Sequence, residues 1–342
     1  MSTLSLLCVV EDPAISPSSR LRILKHLPAL RAEGIEPEIV LLPKGSAAWR
    51  DLLVKARASD AVLWQKSLFS QWDVLRLRRA ARKLFYDFDD AVWMGKRNHI
   101  PYRSGKQARR FGFLVRFLDG ALCGSPHLRE KILSIRPKLP VALVPTSVPE
   151  RPSLEMPATN AAPVVVWVGM GPNVAQVEAI EEELIRARAE HPFLLRIVSD
   201  KPPAFRSFVS WEYIPWSEEG EYDAVATADL GIMPLVDDGF TRGKCAYKAL
   251  QYMACGLPVV ASDVGVNREW IESTGSGSVV RRGEWAAALD RYLGDPSLRE
   301  KTGRKGWETV QERFSDEIVG GMLARTLRAW MESVGGEKNS QG

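Results

Sequence analysis

The chain has 342 residues, 45% of them apolar and 26% charged, with a formal net charge of +4, a size and make-up that suggest about two globular domains. No uncharged apolar run reaches the roughly 18 residues of a membrane-spanning helix, and the opening MSTLSLLCVVED lacks the basic start and cleavage site of a secretory leader. Cys8, Cys123, Cys245 and Cys255 show no CxxC or Cys/His metal spacing, which fits reduced, buried thiols in a cytoplasmic protein.

From the N-terminus, LSLLCVV reads as a strand, SPSSRLRILKHLPALRAEG as one helix with serines at its front and Gly34 as its stop, and EPEIVLL as the next strand. WRDLLVKARAS suits a helix and DAVLWQ a strand. QWDVLRLRRAAR is an amphipathic helix leading into the strand KLFYDFD, and DGALCGS and PVALVP are short strands around the helix PHLREKILSI. Residues 151–163 lie in a proline-rich stretch with few large apolar residues and read as a linker.

The pattern then restarts. VVVWVG, FLLRIVS and DLGIMPL are strands, separated by the helices VAQVEAIEEELIRARAEH and EGEYDAVATA. GKCAYKALQYMACGLPVVASDVG follows as helix, glycine stop and buried strand. Strands alternating with helices imply parallel sheets built from right-handed crossovers. The expectation is an α/β protein of two doubly wound Rossmann-like domains, residues 1–150 and 164–315. A C-terminal helix and a frayed polar tail occupy 316–342. Ligands of such sheets bind beyond the carboxyl ends of the strands, so two of them facing one another enclose a cleft.

Charge is unevenly placed. Residues 1–150 hold 25 basic and 14 acidic side chains, net +11, and the remainder 21 and 28, net −7. The stretch GKRNHIPYRSGKQARRFGFLVRF, residues 95–117, has seven Lys/Arg and no acid, and suits a solvated face, a phosphorylated acceptor or an anionic membrane surface. Nucleic acid is disfavoured, because no recognisable module interleaves aromatics with these charges.

The sharpest feature is the front of the segment at 243–265. A helix from Lys244 to Cys255, stopped by Gly256, puts Lys244, Lys248 and Gln251 at i, i+4 and i+7 on one face. Cations there oppose the helix dipole unless an anion joins them, and a diphosphate fits. Gln251, one turn deeper, suits a ribose hydroxyl. The competing reading pairs Arg242 and Lys244 with Asp237 and Asp238.

FTRGKCAYKALQYMACGLPVVASDVGVNREW closely resembles the nucleotide-binding segment of bacterial retaining glycosyltransferases of the family 4 type, which have the GT-B fold. YDFDDAVW, LVPTSV, VVVWVGMGP and YIPWSEEGEYDAVATADLGIMPL fall in that family's order, and the similarity spans roughly residues 15–315. The resemblance implies transfer of a sugar, with retention of configuration, from a nucleotide-diphosphate sugar to a glycan or lipid-linked acceptor. It implies the donor on the second domain, the acceptor on the first, and a C-terminal helix that returns to the first. Neither metal nor other cofactor is expected. Many relatives carry glutamates at the positions of Gly243 and Gln251 and a basic residue in the loop that reads GMGPN here. Arg242, Lys244 and Lys248 are left to balance the phosphates. These departures also admit a non-catalytic GT-B subunit that binds nucleotide sugar or glycan.

The catalytic candidates are Arg242 and Lys244. Donor-binding candidates are Gly169, Gly171, Asn173, Ser199, Trp216, Gly243, Lys248 and Gln251. Gly169 and Gly171 invite a dinucleotide-binding reading, but the third glycine of that fingerprint falls at Val174. On the acceptor side the candidates are Ser16, Arg20, Lys66, Asp89, Asp90 and His99, with Ser16, Ser18 and Ser19 also suited to cap the first helix. Asp87 and Asp89 have the DxD spacing of a metal site, but in the wrong domain for the nucleotide. No Ser–His–Asp, Cys–His or HExxH pattern argues for hydrolysis. A cytoplasmic protein, peripheral at the inner membrane face, is the expected setting.

Overall fold

The computed structural model describes residues 2–97, 100–149, 162–218 and 220–333. They divide into two compact units, one from Met1–Ser147 with Asp316–Gly342, the other Val148–Ser315. The linker expected at 151–163 lies almost wholly outside the described residues, as do His99 and the polar tail.

The first unit holds β1 (Leu4–Val10), β2 (Ile35–Leu41), β3 (Ala61–Gln65), β4 (Leu84–Phe88), β5 (Met94–Arg97), β6 (Ile100–Arg103), β7 (Gly120–Cys123) and β8 (Val141–Leu143). Six form a parallel sheet in the order β2-β1-β3-β4-β7-β8. β5 and β6 pair antiparallel inside the basic stretch, a hairpin that the run of charges hid. The helix Asp316–Glu332 packs Val319, Leu323 and Leu327 into the same core as Leu6, Cys8 and Val10.

The second unit holds β9 (Val164–Val168), β10 (Leu194–Ser199), β11 (Trp211–Pro215), β12 (Leu230–Met233), β13 (Val259–Ser262) and β14 (Gly277–Val280), in the parallel order β11-β10-β9-β12-β13-β14. Both faces of this sheet are covered. Along β9, Val164, Val166 and Val168 enter one core while Val165 and Trp167 enter the other, the period-two alternation of a buried strand. Strand order reverses between β1 and β3 in one unit and between β9 and β12 in the other, the places where such sheets open a crevice.

Two expected helices are broken. The first divides into Pro17–Arg22, a 3-10 turn at Leu24–His26 and Leu27–Ala32, because Pro28 has no N–H to continue the ladder and suits a new first turn. The helix after β9 divides into Val174–Glu178 and Glu181–Glu190 around Ile180. Among the described residues no helix is long and apolar enough to cross a membrane.

Candidate functional site

The helix of the 243–265 segment starts later than its spacing predicts. Thr241–Gly243 form a 3-10 turn, Lys244 is extended and Ala246 is left-handed at φ 46°, so the helix runs Tyr247–Ala254. Lys244 therefore precedes the helix, and the shared i, i+4, i+7 face is corrected to Lys248 and Gln251 alone. The stop is as expected, Gly256 at φ +71°, where a side chain would be strained.

Lys248 reaches from this helix to the end of β9. Its ammonium donates to the Val168 carbonyl and lies 5.0 Å from the Trp167 ring centroid. A Cβ on Gly169 would stand 2.7 Å from Lys248 Nζ and 2.2 Å from the Trp167 ring. The glycine loop carries no cation of its own and receives one from beneath. Burial, then the neighbouring Lys244 charge, push the Lys248 pKa down to about 7, with Glu221 and Asp200 opposing. Tyr252, also on the helix, accepts the Val168 N–H at 2.9 Å and ties the helix to the strand end.

Gln251, 3% exposed, donates through Nε2 to Glu221 Oε1 at 2.8 Å. Glu221 Oε2 in turn accepts the Trp216 indole N–H at 2.6 Å. Gln251 Oε1 is buried without a hydrogen-bond partner among the described residues, a condition that costs about 1–3 kcal/mol when nothing compensates it. Glu221 was missed in the sequence because an acid opening a short helix, Glu221–Ala226, reads as an ordinary complement to the helix dipole.

Other donor-side candidates scatter around this centre. Ser199 is fully buried at the end of β10, and its carbonyl accepts the Trp216 N–H at 2.9 Å. Gly171 and Asn173 form a 3-10 turn whose Gly171 N–H is taken by Asp200. Gly243 is buried in the turn before Lys244. Arg242 makes a bidentate, exposed pair with Asp237, at 2.6 and 2.9 Å, as the competing reading had it. The Lys244 Nζ lies 6.0 Å from the Phe240 ring centroid.

In the first unit a second cluster sits at the β1/β3 reversal. Lys66, at φ 55° just past β3, pairs with Asp89 at 3.2 Å and Asp90 at 2.7 Å and donates to Ser18 Oγ at 2.8 Å. Ser18 Oγ donates to Asp89 at 2.7 Å. Burial alone would depress the Lys66 pKa, but the two carboxylates hold it well above the usual lysine range. Beneath them, Arg22 and Asp87 form a buried pair at 2.6 Å, so Asp87 faces a guanidinium rather than a metal. The Ser16 side chain makes no cap bond and Arg20 donates to the Pro13 carbonyl, while Ser18 and Ser19 turn inward to Asp89 and Gln65. Among the described residues no group of three or more His, Cys, Asp or Glu converges as metal ligands would.

A pocket of about 600 Å³ opens beyond β12–β14, lined among others by Leu235, Asp237, Asp263, Arg281 and Trp285. It includes none of Lys248, Gln251, Glu221 or Trp216.

Two parallel-sheet α/β units of this kind form the GT-B architecture of glycosyltransferases, as three solved structures show. Sucrose-phosphate synthase from Thermosynechococcus elongatus superposes with a TM-score of 0.73 at 17% identity, over 95% of this chain and 99% of that one. A glycosyltransferase from Rickettsia africae ESF-5 gives 0.72 at 12%, over 98% and 100%. Anabaena HepE in complex with UDP gives 0.69 at 15%, over 95% and 100%. Within the second unit, residues 162–295 match the family model for glycosyl transferases group 1, a stretch that contains the Lys248–Gln251–Glu221 cluster. D-inositol 3-phosphate glycosyltransferase of Paenarthrobacter aurescens (strain TC1) is 30% identical over 146 residues, 42% of this chain and 31% of that protein. The match thus spans about a third of that relative's length.

Proposed function

We propose that the protein is a retaining glycosyltransferase that moves a sugar from a nucleoside-diphosphate sugar to a glycan or lipid-linked acceptor without a metal. The observation that carries this reading is Lys248 beneath the Gly169 loop, a desolvated amine at the end of β9 whose charged form an anion would favour. The family match over 162–295 supports it, as do HepE structures in complex with UDP, with UDP and glucose, and with UDP-glucose. Nothing specific favours a non-catalytic subunit.

In this reading the residues act on the departing diphosphate. Lys248 and Lys244 stabilise the charge that develops as the glycosidic bond breaks, and Arg242 joins by exchanging Asp237 for phosphate. The departing phosphate oxygen takes the acceptor proton on the same face of the sugar, so no strong protein base is needed. Gly169, Gly171, Asn173 and Gly243 allow close approach of the donor, and Ser199, Trp216 and Gln251 line its nucleoside side. The first unit binds the acceptor through Lys66, Asp89 and Asp90. The sharing of one ammonium by both carboxylates supports a role for them in hydroxyl binding rather than metal binding. Exposed Arg103, Lys106 and Arg109 support peripheral contact with an anionic membrane from the cytoplasm.

The test is release of nucleoside diphosphate by purified protein from a panel of UDP-, GDP- and ADP-sugars, read together with thermal stabilisation by the free diphosphates. Selective stabilisation and turnover with one donor is the expected result. A folded protein that neither binds nor cleaves any of them overturns the reading.

A further inference from the structure

Glu221 lies outside every residue that the sequence pointed to, yet both of its carboxylate oxygens are engaged at the candidate donor site. Oε2 accepts from Trp216 at 2.6 Å and Oε1 from Gln251 at 2.8 Å. A carboxylate only accepts, so the Gln251 amide must turn its nitrogen to Glu221 and its oxygen away. That oxygen is buried without a hydrogen-bond partner among the described residues. What meets it must donate a hydrogen bond.

We propose that Glu221 is a positioning residue for the nucleoside: it orients Gln251 to accept from a ribose hydroxyl and holds Trp216 as the wall beside the base. The inference rests on the nucleotide-sugar reading above. Gln251 is three residues beyond Lys248 on the same helix, and such pairs stand about 5–6 Å apart at Cβ. If Lys248 meets phosphate, the next group along a nucleoside diphosphate is the ribose, whose hydroxyls are its hydrogen-bond donors. Trp216 lies one side chain further, across Glu221. The negative charge thus sits one side chain behind the residue that touches the ligand.

An exchange of the two side chains tests this. In Glu221→Gln the new amide must keep its oxygen on the Trp216 indole N–H, which can only donate, so its nitrogen faces Gln251 and Gln251 must turn over, presenting its oxygen to residue 221 and its nitrogen to the ligand. Gln251→Glu alone sets two carboxylates against each other. In the double variant Glu221→Gln/Gln251→Glu every bond is regained: the amide at 221 accepts from Trp216 and donates to the carboxylate at 251, whose second oxygen faces the ribose.

Affinities are measured by titration calorimetry with whichever of UDP, GDP, ADP and CDP binds the wild type, and with its 2′-deoxy and 3′-deoxy forms. The wild type is expected to prefer the ribonucleotide over at least one deoxy form by about tenfold. Each single variant loses that preference and the double variant recovers it. The ratio of two affinities on one sample does not depend on the fraction folded. A preference kept in Glu221→Gln, or lost in all three variants alike, overturns the proposal. Equal binding of ribo and deoxy forms by the wild type overturns it and leaves the nucleotide-sugar reading standing, whereas no binding of any nucleotide removes both.

Discussion

Gly169 and Lys248 fit each other so closely that a Cβ on the first would stand 2.7 Å from the ammonium of the second. The same Cβ would stand 2.2 Å from the Trp167 ring, which is rigid and buried. Gly169→Ala is expected to cost about 1–3 kcal/mol of stability by overpacking. It is also expected to shrink the melting-temperature rise given by nucleoside diphosphate, because Lys248 must move. Melting curves with and without nucleotide check both.

The lowered pKa of Lys248 makes binding consume a proton. Above about pH 7 the free protein holds Lys248 neutral, and a diphosphate beside it favours the charged form. Nucleotide affinity should therefore fall as pH rises through 7, and calorimetry in buffers of different ionisation enthalpy should show proton uptake. Stability moves the other way. Between about pH 7 and the lysine value of 10.5 the unfolded chain keeps a proton that the native protein has lost, so stability rises with pH across that window. Lys248→Met should remove both effects, and a variant titrating like the wild type would contradict the assignment.

Lys244 and Arg242 separate by their partners. Lys244→Ala is expected to lower kcat at least tenfold. Asp237→Asn releases Arg242 from an exposed pair and should change neither melting temperature nor, downward, kcat. If Asp237→Asn lowers kcat as far as Arg242→Ala does, the ion pair itself is what matters, which would count against phosphate contact by Arg242.

Much of this was legible in the sequence because local rules and global fold agree. The alternation of VVVWV, the stop at Gly256 and the two rounds of strand and helix are each fixed by short-range physics. The start of the 247–254 helix was not, since it depends on Ala246 adopting a left-handed backbone that residue type does not signal. Lys248 was legible as a cation on the face of this helix shared with Gln251, but its reach to Val168 is a long-range contact. Glu221 and Gln251 are 30 residues apart and meet only through the packing of two helices. Ser18 looked like a cap, and three-dimensional proximity to Lys66 and Asp89 gave it a stronger partner.

Lys66 is the counter-charge for Asp89 and Asp90, all three side chains being about 20% exposed. Removing one partner of a largely buried ion group leaves charge uncompensated, so Lys66→Met should cost about 3 kcal/mol. Adding Asp90→Asn removes one of the stranded carboxylates and should return part of the loss. Urea unfolding of the two variants checks this, and a double variant no more stable than the single would refute the pairing as the source.

His26 supplies a pH dependence of its own. It is 3% exposed, with Nε2 3.2 Å from Ser147 Oγ. Burial first, then the charges of Lys25 and Arg22, push its pKa down to about 4, with Asp316 opposing. The folded value lies below the unfolded one of 6.5, so between these limits the unfolded chain binds a proton that the native protein refuses. Stability should rise with pH from about 4 to 6.5, by about 3 kcal/mol from this group. His26→Gln removes the titration whatever it does to stability at neutral pH. The slope of stability against pH between these limits should therefore become shallower by up to one proton, measured by urea unfolding at several pH values. An unchanged slope would mean that the native protein accepts the proton at His26 as readily as the unfolded chain does.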